Sequence, residues 1–174
     1  MPSWNWNVSN VISQSKDWTK EGAVTPAKMQ GGCAKSGGIS SEEAYPYQVK
    51  EGSCRSNIKP AMQIRGFQMV PYNNERALLE AVSRQPVSVG IAASAASFIH
   101  YSSGVYNAPD CGTNVNHAMT LVGYGTSPEG IRYWLAKNSW GKTWGENGFI
   151  RLRRDVEWPQ GMCGIAQFAA LPYA

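Results

Sequence analysis

The stretch Lys137-Asn138-Ser139-Trp140-Gly141-Lys142-Thr143-Trp144-Gly145-Glu146-Asn147-Gly148-Phe149 lies between two strand-like runs, 133–137 and 149–153. Its first polar residue, Asn138, stands at the end of a strand, where a side-chain carbonyl can accept a hydrogen bond from an imidazole and so fix its tautomer. A candidate imidazole lies 21 residues upstream. His117, in Val115-Asn116-His117-Ala118-Met119, opens the strand-like run 118–124 after a turn rich in Asn. Trp140, two residues past Asn138, can shield such a bond from water. The only other histidine, His100, sits in Phe98-Ile99-His100-Tyr101, an aromatic surround that suits a packed or surface residue.

Outward from this region the chain punctuates itself. Asn73 or Asn74 can cap a helix whose apolar residues Ala77, Leu78, Ala81 and Val82 fall at helical spacing, and Gln85-Pro86 ends it, because the residue before proline disfavours helix. A further strand-like run covers 87–92. Four strands separated by Gly, Pro and Asn predict a mainly antiparallel barrel or curled sheet. The first seventy residues are thinner: Gly31-Gly32 and Gly37-Gly38 bracket a loop, 45–60 is turn-rich, and no long helix is predicted. Residues 1–14 read as a flexible leader, 15–70 as a thin N-terminal part, and 71–174 as a β-rich lobe carrying His117 and Asn138.

With 174 residues, 43% hydrophobic and 16% charged, the chain is long enough for a real core and too apolar for disorder. Its net charge of +4 is spread out. Arg151, Arg153 and Arg154 alternate as on a solvated sheet face, so no nucleic-acid partner is expected. No apolar run approaches the ~20 residues that span a membrane, and no membrane partner is expected. The start Met1-Pro2-Ser3-Trp4-Asn5-Trp6 has neither the basic nor the apolar part of a signal peptide. Cys33, Cys54, Cys111 and Cys163 allow three pairings and form no C-x-x-C pair, so no metal is expected. Asn7-Val8-Ser9 is a lone glycosylation triplet.

Several separate motifs then occur in one order. Asp17-Trp18, Gly22-Ala23-Val24-Thr25-Pro26, Gln30-Gly31-Gly32-Cys33, the segment Gly38-Ile39-Ser40-Ser41-Glu42-Glu43-Ala44-Tyr45-Pro46-Tyr47, the His117 and Asn138 motifs, and Gly161-Met162-Cys163-Gly164 together resemble the plant papain-like cysteine peptidases, from about Ser15 to Ala174. The resemblance implies an α+β, two-lobe fold with the β-barrel lobe largely complete and the helical lobe reduced to a remnant within 15–70. It implies proteolysis, the hydrolysis of peptide bonds through a thioester without cofactor or metal. His117 would be general base and acid, Asn138 would orient it, Gln30 would donate to the oxyanion, and Trp140 would shield the His–Asn pair. Val115, Asn116 and Ala118 would bind substrate, Asn116 standing where some relatives carry Asp. Cys111 and Cys163 would pair. Peptide or protein substrates and cystatin-like inhibitors would be the partners, and the location would be secreted, vacuolar or lysosomal.

One part of the pattern is missing. The family follows its oxyanion Gln with Gly-x-Cys-Gly-Ser-Cys-Trp, the second Cys attacking, whereas here Cys33-Ala34-Lys35-Ser36-Gly37-Gly38 follows Gln30-Gly31-Gly32. Ser36 takes the nucleophile's place by count, and no Trp follows. In the family, His and Asn stand roughly 130–150 residues past the nucleophile. From Ser36 they stand 81 (117 − 36) and 102 (138 − 36) residues on. An internal deletion that removed the nucleophile, its helix and much of the first lobe accounts for both shortfalls. Ser36 or Cys33 as a substitute would lack a rigid mount or the helix N-terminus that activates a thiol. The chain is therefore expected to be inactive or nearly so. Cys33 and Cys54 would be orphaned halves of two bridges, and exposed apolar surface would make the protein marginal or aggregation-prone. The alternative is a non-catalytic protein that binds peptides or inhibitors.

Overall fold

The computed structural model of the chain describes residues 12–25, 40–48 and 60–173. Gln30, Cys33, Ser36 and Cys54, and most of the expected leader, lie outside the described residues. What is described is a sheet-rich α+β structure with few helices. Eight strands form one sheet: β1 (Lys16–Asp17), β2 (Gly66–Met69), β3 (Val87–Ile91), β4 (Val105–Tyr106), β5 (His117–Thr126), β6 (Arg132–Lys137), β7 (Phe149–Arg153) and β8 (Ala169–Tyr173). Their order is β2-β8-β3-β5-β6-β7-β4, with β1 on β5, and every pair is antiparallel except β4 with β7.

The four expected strands are present, β5 three residues and β6 one residue longer than expected. The helix expected after Asn73 or Asn74 is α1 (Glu75–Arg84). Asn74 is its cap, accepting from the Ala77 N–H at 2.9 Å, which satisfies one of the donors a helix start leaves open. Ala77, Leu78, Ala81 and Val82 turn inward onto the sheet. The core is completed by Val87, Val89 and Ile91 of β3, Leu121 and Val122 of β5, Trp134 of β6 and Leu152 of β7.

Four further strands escape a pattern-based reading: β1 and β4 are two residues long, β2 exposes its apolar side chains, and β8 carries Pro172. Phe67 and Met69 of β2 are 68% and 47% exposed. β1 is held by geometry rather than burial. Gly123 lets the backbone of Lys16 approach so closely that a Cβ there would lie 2.2 Å from the Lys16 carbonyl oxygen. The chain then continues to Trp18, whose Nε1–H donates to the Val82 carbonyl of α1 at 2.7 Å. Ile12 packs against the core and Ser13 Oγ lies 3.2 Å from the Tyr124 hydroxyl.

The arginine cluster is a correction. Arg153 is exposed, but Arg151 forms two bonds to Glu146, and Arg154 is only 8% exposed. The strand ends at Arg153, and Arg154 continues its inward parity after Ile150 and Leu152. Asp155 takes φ +59°, Arg154 N donates to the Arg132 carbonyl, and the guanidinium lies 5.4 Å from the Trp134 ring and 5.6 Å from the Tyr124 ring. A guanidinium stacks on aromatic faces more readily than an ammonium does. Burial pushes its pKa down, opposed by Asp155.

Candidate functional site

β5 and β6 run antiparallel, with Thr120 opposite Lys137. His117, the first residue of β5, and Asn138, just past the end of β6, therefore emerge at one end of the sheet. Asn138 is held by its backbone, its N–H donating to the Gly148 carbonyl at 2.9 Å, and it is 2% exposed. Its Oδ1 lies 2.8 Å from His117 Nε2 and 2.7 Å from the Ser139 backbone nitrogen. A backbone N–H can only donate, so the atom facing both groups is the amide oxygen. His117 Nε2 must then carry the hydrogen, which leaves the lone pair on Nδ1. Among the described residues Nδ1 is shown with no hydrogen-bond partner, and in the tautomer that Asn138 selects it carries the ring's lone pair.

Aromatic rings close over this pair. The Trp140 ring lies 5.0 Å from the His117 ring, centroid to centroid, at an interplanar angle of 32°. Phe98 and Trp144 pack edge-on against Trp140 at 5.8 Å and 5.1 Å, and the Trp144 Nε1–H is tied to the Ile99 carbonyl at 2.8 Å. A hydrogen bond beside such a wall lies in a local dielectric lower than that of water. Phe98 was missed because its motif was judged by His100, which here is exposed at the end of the short helix α2 (Ala96–Ile99). Trp144 stood inside the opening motif, and its second tryptophan was the signal.

The three remaining positions flank the imidazole. Asn116 is exposed, yet its Oδ1 accepts from the Ala93 N–H at 2.9 Å, tying the start of β5 to the end of β3. Ala118 is exposed opposite Gly90. Val115 is half-buried, and a Cβ on Gly90 would meet its Cγ1 at 2.7 Å, so glycine at 90 is what lets Val115 lie on the sheet. Gly90 N also donates to the Phe168 carbonyl at 2.7 Å. Phe168 is 51% exposed and meets Tyr72 edge-on at 5.9 Å. Gly90, Phe168 and Tyr72 thus extend an apolar surface beside His117 that no short motif announced.

Cys111 and Cys163 form a disulfide, joining the turn before His117 to the turn before β8. Among the described residues no group of three or more His, Cys, Asp and Glu is placed to hold a metal, and no helix is long and apolar enough to cross a membrane.

A family model described as papain family cysteine protease matches residues 34–173. The cysteine endopeptidase Rep1 of Oryza sativa subsp. japonica is 50% identical over 140 residues, which are 79% of this chain and 38% of the relative. This chain therefore spans well under half of that relative's length. The senescence-specific cysteine protease SAG12 of Arabidopsis thaliana is 36% identical, covering 94% of this chain and 63% of its own. Zingipain-2 of Zingiber officinale is 35% identical over 215 residues, covering 92% of this chain and 96% of its own. Because 92% of 174 residues is about 160, some 55 of those 215 positions meet no residue of this chain. Among solved structures, the bromelain protease of Ananas comosus in complex with the E64 inhibitor superposes with a TM-score of 0.82 at 36% identity, covering 92% of this chain and 99% of that one. The proform of the ragweed pollen allergen Amb a 11 gives 0.85 at 33% identity, covering 98% and 68%. With a family match over most of its length and a shared fold along nearly all of it, this chain belongs to the papain family of cysteine proteases.

Proposed function

We propose that this chain is a papain-family protein without a working nucleophile, inactive or nearly so in peptide-bond hydrolysis. The observation that carries the reading is the alignment gap: relatives matched end to end leave about 55 positions that meet no residue here, and Gln30-Gly31-Gly32-Cys33-Ala34-Lys35-Ser36-Gly37 stands where the family places its attacking cysteine. In this reading His117 is the base and acid whose Nδ1 faces an unfilled nucleophile position. Asn138 orients the ring, Trp140 shields their bond, and Gln30 is the oxyanion donor. Without a thiol, the base has no proton to take and no thioester forms.

The test is restoration. Inserting the corresponding segment of a relative, with its Cys-Gly-Ser-Cys-Trp run and following helix, after Gly32 should create hydrolysis of a fluorogenic dipeptide amide. A His117→Ala change should then abolish it. A repaired chain that folds but stays inert would contradict the assignment of His117 and Asn138.

A second reading is favoured by the exposed and half-buried residues around His117. Val115, Asn116 and Ala118, with the apolar surface of Phe168 and Tyr72, support retained binding of peptides or of cystatin-like inhibitors without turnover. Saturable inhibitor binding, lost in a Val115→Asp variant, is the expected result. Secretion, or residence in a vacuole or lysosome, is the location this reading entails for the natural product.

A further inference from the structure

The strongest unassigned feature is a closed frame of bonds that holds the start of β5. From Cys111 the segment Gly112-Thr113-Asn114-Val115-Asn116 leads directly to His117. Much of it is exposed, so packing alone holds it weakly. Its far end is tied to the exit of β3: Asn116 N donates to the Ile91 carbonyl at 3.0 Å, and Asn116 Oδ1 accepts from Ala93 N at 2.9 Å. Between those two residues, Ala92 N donates to the Cys163 carbonyl at 2.8 Å. The Cys111–Cys163 bond then returns the circuit to its start. A cross-strut runs inside it, Gln167 Nε2 donating to the Thr113 carbonyl at 3.0 Å.

We infer that the Cys111–Cys163 disulfide is a positioning element for His117, setting where the imidazole stands relative to Asn138 by closing this frame. The other links are single hydrogen bonds, each worth little by itself beside water. A cross-link removes the freedom of the loop it closes, and only five residues separate Cys111 from His117. Losing it frees the near end of the segment while β6 and α1, which lie outside the circuit, keep their own packing. The bond is also reachable. Cys111 and Cys163 line an open cavity of about 230 Å³ together with Pro109, Thr113, Trp158 and Gln160, which gives a small dithiol a way in. In that exchange one thiolate attacks a protein sulfur, the S–S bond breaks and the second cysteine leaves as thiolate. The reagent's other thiol then displaces the first cysteine, so the dithiol is oxidised to its cyclic disulfide and the protein gains two thiols.

The inference takes His117 as the base assigned above, but its test reads a hydrogen bond and not catalysis, so it can fail while that assignment stands. NMR would follow two protons in the whole chain before and after dithiothreitol: the His117 Nε2–H facing Asn138, and the Trp134 Nε1–H, which donates to Glu75 at 2.7 Å outside the frame. We expect solvent exchange of the His117 proton to rise at least tenfold on reduction, with the Trp134 proton unchanged. Asn116→Ala, which opens the frame at its other end and leaves the disulfide intact, should raise it similarly. An unchanged His117 proton in both, or equal acceleration of the Trp134 proton on reduction, would overturn the inference, since the latter means loss of the whole fold.

Discussion

Asn138 decides the chemistry at the scale of single residues. One oxygen receives both a backbone N–H and the imidazole N–H, at 2.7 Å and 2.8 Å, in a site 2% exposed. Its Nδ2 is buried without a partner among the described residues, a desolvation cost borne to keep the oxygen pointed at His117. Asn138→Ala should release the tautomer and leave the Ser139 N–H unpaired, costing about 1–3 kcal/mol. Nitrogen NMR of His117 should then show both tautomers. A single Nε2–H tautomer in that variant would show that something other than Asn138 sets it. His117, Asn138 and Trp140 were legible because they sit in short, distinctive runs. Gly90 and Phe168 were not, because a residue that serves by lacking a side chain or by lying exposed leaves no local pattern.

At the scale of elements, periodicity found what is amphipathic and missed what is held by contact. α1 and β3, β5, β6 and β7 each bury a face, and their apolar spacing shows it. β1 has two residues and depends on Gly123, which lies 106 residues beyond Asp17 (123 − 17), so nothing local marks it. Gly123→Ala should therefore detach β1 and with it the Trp18–Val82 bond, at a cost of about 1–3 kcal/mol for a clash that the backbone must relieve. Faster tryptic cleavage at Lys16 and Lys20 would report it, whereas an unchanged digestion rate would mean that β1 is not held through this approach. Arg154 was misread for a different reason: it shares the inward parity of Ile150 and Leu152, which reading three arginines as one exposed face hides.

Across the whole molecule, two features set stability. The first is Glu75, which accepts from Trp134 Nε1 at 2.7 Å and from Asp155 N at 2.9 Å and so joins α1 to β6 and the end of β7. Burial raises its pKa above the ordinary 4.5, outweighing those two donors. A carboxyl raised in the folded state contributes stability that is full below its unfolded pKa and is lost as pH rises through the folded one. The melting temperature of the wild type relative to Glu75→Gln should thus fall as pH rises from 4 toward neutrality, and a difference that grows over this range would refute the assignment.

The second feature is the exposed apolar surface of Met62, Ile64, Phe67, Met69, Tyr72 and Phe168, much of it along β2 at the end of the sheet. An apolar end strand invites association. Strong binding of an environment-sensitive dye and concentration-dependent aggregation are expected, both reduced by Phe67→Lys. Weak dye binding by the wild type with a sharp melt would contradict this. The family and the β-rich part of the fold were readable from several motifs in fixed order. The proposed deletion rests on a shortfall in spacing, because an absent residue has no side chain to recognise.

The central claim is that a papain-family frame survives here without its attacking group. Its most direct test is the rate at which the purified chain hydrolyses a fluorogenic dipeptide amide under reducing conditions, beside its own His117→Ala variant. Two indistinguishable rates at the level of the buffer blank are predicted. A rate well above the blank that disappears in His117→Ala would show that the chain supplies a nucleophile after all.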